Sequence, residues 1–369
     1  MLVEAAARLS AVVRGADSIG RFGGDEFLVM LDGLGAAGDA GLPAQKLVEA
    51  LAAPFNCNGH VMNVSCSIGI SVYPDDARNE QDLLRNADLA MYAAKDAGRN
   101  GYRFFTASMN RRLQERMALE QQLRGAVERG QFALHYQPKV SFATGLVTGC
   151  EALLRWHLPG VGMMPPGRFI SIAEETGLIV PIGAWVLREA CTTLRRWLDA
   201  GLAPVPVACN LSAHQFSAAL PAQLAAVLRE TGVPAGLLDL EITETVMMTN
   251  VAPNLDIMRQ IKALGVQMAL DDFGTGYSSL SYLRNMDFDV LKIDQSFVRD
   301  LDSSVDARAI VSAIIAMAGK FDMKTVAEGV ESPEQAEVLR GMHCDDYQGY
   351  LFSQPLPAGQ FEARYLLPA

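Results

Sequence analysis

Residues 266–274 read VQMALDDFG, an apolar run that ends in two adjacent carboxylates, Asp271 and Asp272, followed by Phe273 and Gly274. A run this short, with Gly265 closing a helical pattern before it, is the form of a buried strand. The form recurs. FALHYQP, GLVTGCEALLRW, VPVACNLS, LDLEITE, DVLKID, KTVAEGV and CDDYQGYLF repeat it between Phe132 and Phe352. Helical patterns such as GAWVLREACTTLRRWLDAG, LPAQLAAVLRETG, NLDIMRQIKALG and ARAIVSAIIAMAGKF stand between them, most ending in the Gly that a helix C-terminus prefers. Strands alternating with helices are the sequence form of repeated βα units and a parallel sheet, and eight strands suit a closed TIM-like (β/α)8 barrel.

Most of these strands end in a residue able to bind a cation or position water: Glu151, Asn210, Glu241, Asp271 with Asp272, Lys292, Glu328 and Gln348. In a βα barrel the C-terminal strand ends meet at one mouth, so positions far apart in sequence converge there. An acidic residue after a strand is often only a helix cap, but so many together change the reading. Five carboxylates at one mouth repel one another without cations, which points to an oxygen-ligand site for Mg²⁺ or Mn²⁺. The adjacent Asp271 and Asp272 favour two ions, provided the backbone turns at the strand end so that both side chains reach one site. Lys292 is then a charge partner near an attacking water. Two ions a few ångströms apart suit in-line attack on a phosphodiester, so the residues themselves point to phosphodiester hydrolysis.

Composition sets the surroundings. The chain has 369 residues, half of them hydrophobic, enough for two or three domains. A net charge of −11 without any Lys/Arg cluster excludes a nucleic-acid partner, although a small anionic ligand remains compatible if metal ions supply positive charge. Six scattered cysteines, with no CxxC pair, read as reduced core residues of a cytoplasmic protein. No run approaches the roughly 18–20 apolar residues of a membrane span.

Residues 1–106 follow a different rhythm of helix, hairpin, helix, strand and helix. GRFGGDEFLVML, Gly20 to Leu31, reads as a hairpin whose paired glycines supply positive φ angles at the tip. Strand patterns follow at FLVML and VSCSIGISVYP, and helical ones at AQKLVEALAAPF and DLLRNADLAMYAAKDAG. MNRRLQERMALEQQLRGAVERG then reads as an amphipathic connecting helix, assigned to residues 107–118, before a barrel over 119–369.

EALLRW, NLS, EITE, DDFGTGYSSL, LKID, AEGVE and QGYLFSQPLP, in this order, resemble the EAL family of cyclic-di-GMP phosphodiesterases. The resemblance implies a barrel that linearises cyclic-di-GMP to pGpG with Mg²⁺ or Mn²⁺. By that resemblance Glu151, Asn210, Glu241 and Asp271 bind the first metal, and Asp271 and Asp272 hold the second. Glu328 is the general base, Lys292 orients water, Glu331 and Gln348 line the site, and Gln137 and Arg155 touch substrate. It also implies two copies paired through barrel helices. GRFGGDEF, SIGISVYP, ADLAMYAAKDAGRN and the RxxD pattern Arg14 to Asp17 resemble the GGDEF, or diguanylate cyclase, family, in which Arg14 and Asp17 match a product-inhibition site. Only Met1 to Phe22 precede the turn, so the expectation is a partial α/β domain lacking the N-terminal strand and helix of that family. A catalytically silent cyclic-di-GMP receptor and a bifunctional cyclase and phosphodiesterase fragment are the alternative readings. Finally, FGTGYSSL has the composition of a mobile loop whose amides need an acceptor, and Glu244, an odd number of residues after Glu241, is the expected anchor. The competing reading makes Glu244 a cap for the helix starting near Val246.

Overall fold

The computed structural model describes residues 1–57, 60–274 and 286–368, with Met248 and Thr249 described by their main chain alone. The chain folds as two compact units, Met1–Leu119 and Glu120–Ala369.

In the first unit, α1 (Leu2–Val12) is followed by the antiparallel pair β1 (Ser18–Gly23) and β2 (Glu26–Met30). Gly23 pairs with Glu26, so the turn is the dipeptide Gly24-Asp25, and Gly24 has φ +49°. A two-residue hairpin turn needs such an angle at its first position. Arg21 locks the tip by donating to the Gly24 carbonyl. Then come α2 (Gly41–Ala52), a hairpin of β3 (Phe55–Cys57) and β4 (His60–Met62), β5 (Ser67–Ile70), α3 (Glu80–Asp96) and β6 (Gly101–Phe104). Asn79 caps α3 by accepting from the Asp82 N–H, and α3 carries the crossover between the parallel strands β5 and β6. The helix α4 spans Ala107–Leu123, longer than the 107–118 read from sequence.

The second unit contains the eight expected strands: β7 (Phe132–Ser141), β8 (Val147–Leu158), β10 (Val207–Leu211), β11 (Leu238–Thr243), β12 (Gln267–Phe273), β13 (Val290–Ile293), β14 (Lys324–Ala327) and β15 (Asp346–Tyr347). They close a ring in that order, β15 returning to β7, with β9 (Gly162–Met164) attached to β8 and β16 (Leu356–Pro357) to β7. One feature departs from an all-parallel barrel. β7 runs antiparallel to both β8 and β15, whereas pairs from β8 round to β15 are parallel. The cause lies in the connection, since the few residues between Ser141 and Val147 make a hairpin and a parallel crossover needs about a dozen or more. The short α5 (Ile170–Glu175) leads into α6 (Ile179–Asp199), and α8 (Glu244–Thr249) into α9 (Val251–Ala263). Helices α6, α7 (Leu220–Thr231) and α9 cover the sheet with their apolar faces. Val207, Ala208, Leu238, Leu240, Leu291 and Ile293 are almost wholly buried, so stability resides in the strands below the mouth.

The cysteines correct one expectation. Cys150, Cys191, Cys209 and Cys344 are buried as free thiols, but Cys57 and Cys66 are half-buried. Burial pushes the Cys191 thiol up to about 11 and that of Cys344 up to about 12, far from the thiolate that reacts. Burial also raises Cys66. Titration of the native chain with a disulfide reagent at pH 8 is therefore expected to count two thiols, Cys57 first, and six only after denaturation. A native count above two refutes the burial.

Candidate active site

Asp271 and Asp272 meet the condition set by their adjacency. The β12–β13 register shifts between Leu270 and Phe273, and Asp272 adopts φ +53°, which turns its side chain out of the strand's alternation. The Asp272 N–H donates to Asp271 Oδ1 at 2.9 Å, pinning the corner. As a result carboxylate oxygens of Asp271, Asp272 and Glu328 lie within 4.8 Å of one another, close enough to share a cation.

Lys292 stands at the centre. Its ammonium is 2.5 Å from Glu241 Oε2, 2.6 Å from Glu328 Oε1, 3.0 Å from Asp271 Oδ2 and 3.8 Å from Glu151 Oε2, with the residue only 1% exposed. Burial works against its charge, but Glu151, Glu241, Glu328 and Asp271 hold it well above lysine's usual value. A second ammonium was not foreseen. Lys139 of β7 is buried and donates to Glu241 Oε1 at 2.6 Å, so each oxygen of Glu241 faces a different lysine. Against the desolvation of burial, Lys139 and Lys292 hold Glu241 down to about 2. Glu328 goes the other way: burial, with Lys292 opposing and Asp271 and Glu151 reinforcing, pushes it up to about 8. Burial followed by Asp271 also raises Asp272.

Amides complete the ring. Asn210 donates to Glu151 Oε1 and Gln348 to Glu151 Oε2, each at 2.6 Å, and Gln348 also donates to Gln137 Oε1 at 3.0 Å. Buried Gln348 Oε1 has no hydrogen-bond partner among the described residues. All the donors are oxygens, and carboxylates outnumber ammoniums, so the residues fit a hard divalent cation.

Other expected positions fall around this core. Arg155 is half-buried beside Glu151 and Tyr350, its Nη1 donating to the Leu154 carbonyl. Glu331 is exposed, just before the Ser332 cap of the helix Pro333–Gly341. Glu244 is buried as the first residue of α8, whose N-cap is Thr243, and Glu244 Oε2 accepts from the Gly274 N–H at 3.4 Å. That is the first amide of the expected loop contact; residues 275–280 of FGTGYSSL lie outside the described residues. In the first unit, Asp17 accepts from the Arg14 N–H within one turn and from the Asp32 N–H at the far end of the β1–β2 hairpin.

The EAL domain family matches residues 120–355, which contain every residue of this mouth. The chain belongs to the EAL family. The diguanylate cyclase, GGDEF domain family matches residues 1–101. Over 365 residues the chain is 47% identical to the bifunctional diguanylate cyclase/cyclic di-GMP phosphodiesterase MucR of Pseudomonas aeruginosa, covering 98% of this chain and 53% of MucR. It is 41% identical over 356 residues to the cyclic di-GMP phosphodiesterase NbdA of the same organism, covering 96% of this chain and 45% of NbdA. The chain thus spans about half the length of these curated relatives. A solved structure of the MucR phosphodiesterase in complex with c-di-GMP superposes with a TM-score of 0.64 at 46% identity, over 66% of this chain and 99% of that one. Within this EAL unit, sequence reasoning missed Lys139. Its one signal was the lysine itself, the lone formal charge in the strand FALHYQPKVS.

Proposed function

We propose that this EAL unit hydrolyses cyclic-di-GMP to linear pGpG. The convergence of Glu151, Glu241, Asp271 and Glu328 on Lys292, with Asp272 and Asn210 beside them, carries the reading. Likeness to a phosphodiesterase solved with c-di-GMP supports it. Glu151, Asn210, Glu241 and Asp271 would hold one Mg²⁺ or Mn²⁺, and Asp271 with Asp272 a second. When bound, these ions supply Lewis-acid polarisation of the phosphoryl oxygens and a more acidic water.

The water oxygen bonds to phosphorus, the P–O3′ bond breaks, the water's proton passes to Glu328, and the leaving 3′ oxygen takes a proton from solvent. Glu328 suits this task by its place, a carboxylate beside Asp271 and Asp272 at the mouth. The Lys292 ammonium, 2.6 Å from Glu328 Oε1, holds the base in place and orients the water. Arg155 offers its cation to a substrate phosphate, while Gln348 and the exposed Glu331 edge the mouth. The first unit is read as a GGDEF-family unit whose hairpin presents Asp25 and Glu26 to solvent. Cytoplasmic placement and pairing of two copies through barrel helices belong to the same reading; no helix among the described residues is long and apolar enough to cross a membrane. Sedimentation checks the pairing.

Incubation with cyclic-di-GMP and Mg²⁺, followed by chromatography, is expected to give pGpG. Bound but uncleaved substrate means a silent receptor. Ca²⁺ is expected to inhibit, because its longer bonds spread the two-ion geometry. Glu244→Gln tests the loop anchor: the amide keeps a capping oxygen but loses charge-assisted bonds, so Mn²⁺ affinity falls several-fold while the melting temperature holds. Parental activity and affinity refute the anchor.

A further inference from the structure

The two ammoniums on Glu241 are not equivalent. Lys292 reaches Oε2 at 2.5 Å, but it also stands 2.6 Å from Glu328, 3.0 Å from Asp271 and 3.8 Å from Glu151. Lys139 reaches Oε1 at 2.6 Å, and Glu241 is the one carboxylate it pairs with among the described residues. Because β7 runs antiparallel to β8, Lys139, across from Gly149, lies two residues farther from the mouth than Gln137, across from Glu151. Its stem passes over the bare Gly149, where a Cβ would stand 3.7 Å from Lys139 Cδ. Lys139 therefore grips Glu241 from the closed end of the barrel, and Oε2, on the side of the other carboxylates, is the oxygen a cation meets. Lys292 can release Oε2 and keep its other partners, whereas Lys139 deprived of Oε1 would be a buried charge without a counter-ion.

We propose that Lys139 is a positioning residue that keeps Glu241 Oε1 when a divalent cation binds, so that Glu241 offers the cation a single oxygen and the site disfavours Ca²⁺ relative to Mn²⁺ or Mg²⁺. The inference rests on the reading of this mouth as a divalent-cation site. Ca²⁺ takes about six to eight oxygens and is readily chelated by both oxygens of one carboxylate, whereas Mg²⁺ demands near-octahedral geometry. An ammonium on Oε1 withholds the extra ligand that only the larger ion would use.

The test uses the whole chain. Mn²⁺ and Ca²⁺ are each titrated calorimetrically, without substrate, into the parent, Lys139→Met and the double variant Lys139→Met/Glu241→Gln. Lys139→Met frees Oε1 and is expected to raise the ratio of Ca²⁺ to Mn²⁺ affinity about tenfold, the lower end of what the partners of a ligating group are worth. In the double variant the amide has only one oxygen to offer, so the ratio is expected to return to within about threefold of the parent's. If Lys139 only balances charge, its loss strengthens both ions, which carry the same charge, by the same factor. An unchanged ratio in Lys139→Met thus overturns the proposal, as does a raised ratio that persists in the double variant. Crystals of the parent grown with Mn²⁺ decide the matter even if Lys139→Met does not fold: Glu241 is expected to place one oxygen on the ion and the other on Lys139, and a chelating Glu241 overturns the proposal. A parent that binds Mn²⁺ but cleaves no cyclic-di-GMP refutes the phosphodiesterase reading alone, because the affinity ratio needs no turnover. A parent that binds neither ion overturns both.

Discussion

Lys292→Met is expected to lower linearisation of cyclic-di-GMP by about a thousandfold or more, and in a chelator to lower the melting temperature by about 6–12 °C. Both effects come from one position. The ammonium is 1% exposed and stands within 3.0 Å of three carboxylates and 3.8 Å of a fourth. Removing one partner of a buried ion pair costs about 3–5 kcal/mol, because the remaining charge has neither water nor a counter-ion. At roughly 2–4 °C per kcal/mol for a unit of this size, the lower figure gives the shift stated. Mg²⁺ supplies the missing positive charge, so it should raise the variant's melting temperature by more than it raises the parent's, while turnover stays lost. Asp271→Asn provides the contrast. It should also abolish turnover, but it removes one of the surplus carboxylates, so its melting temperature in chelator should equal or exceed the parent's. Calorimetric scans with and without Mg²⁺ check all three proteins. A Lys292→Met variant that melts with the parent in chelator means that the carboxylates are not balanced by this ammonium.

The barrel was legible because a strand buried on both faces must be apolar along its length, and an acidic residue at its end then stands out. That logic located Glu151, Glu241, Asp271, Lys292 and Glu328, which the structure gathers within ion-pair distance. It failed on direction at β7, although the short Ser141–Val147 connection carried the signal that a hairpin, not a crossover, joins the first two strands. It failed on Lys139 for a different reason. A lysine is almost never buried unless paired, and its partner Glu241 is 102 residues away, so only the closed ring brings them together. The geometry of Asp271 and Asp272 was conditional on a turn in the backbone, and the positive φ of Asp272 supplies it. Glu331, placed with the site by its AEGVE motif, is exposed beyond the strand end, where the spacing rule for strands no longer applies.

The second large effect is expected from a residue with no side chain. Gly349→Ala should reduce turnover by about a hundredfold, the scale of a 1 Å displacement of catalytic groups, without altering any group that binds or reacts. A Cβ built on Gly349 lies 2.0 Å from the Val330 carbonyl oxygen and 2.4 Å from its nitrogen. Those atoms are main chain, so no rotamer change relieves the overlap. The loops after β14 and β15 are joined at this point: the Val330 N–H donates to the Gln348 carbonyl at 3.1 Å, the Gln348 N–H to that of Ala327 at 2.8 Å, and the Leu351 N–H to that of Val330 at 3.0 Å. A methyl group must push the two loops apart, and with them Glu328 on one side and Gln348 on the other. Overpacking of this kind costs about 1–3 kcal/mol of stability, less than would unfold a barrel whose core lies below the mouth. Gly359→Ala is the control, because a Cβ there meets nothing within 4 Å. The measurement is turnover against Mg²⁺ concentration, with thermal melting alongside. Near-parental turnover in Gly349→Ala would show that the two loops can separate without moving Glu328 or Gln348, and that the close approach at Val330 has no part in holding the mouth together.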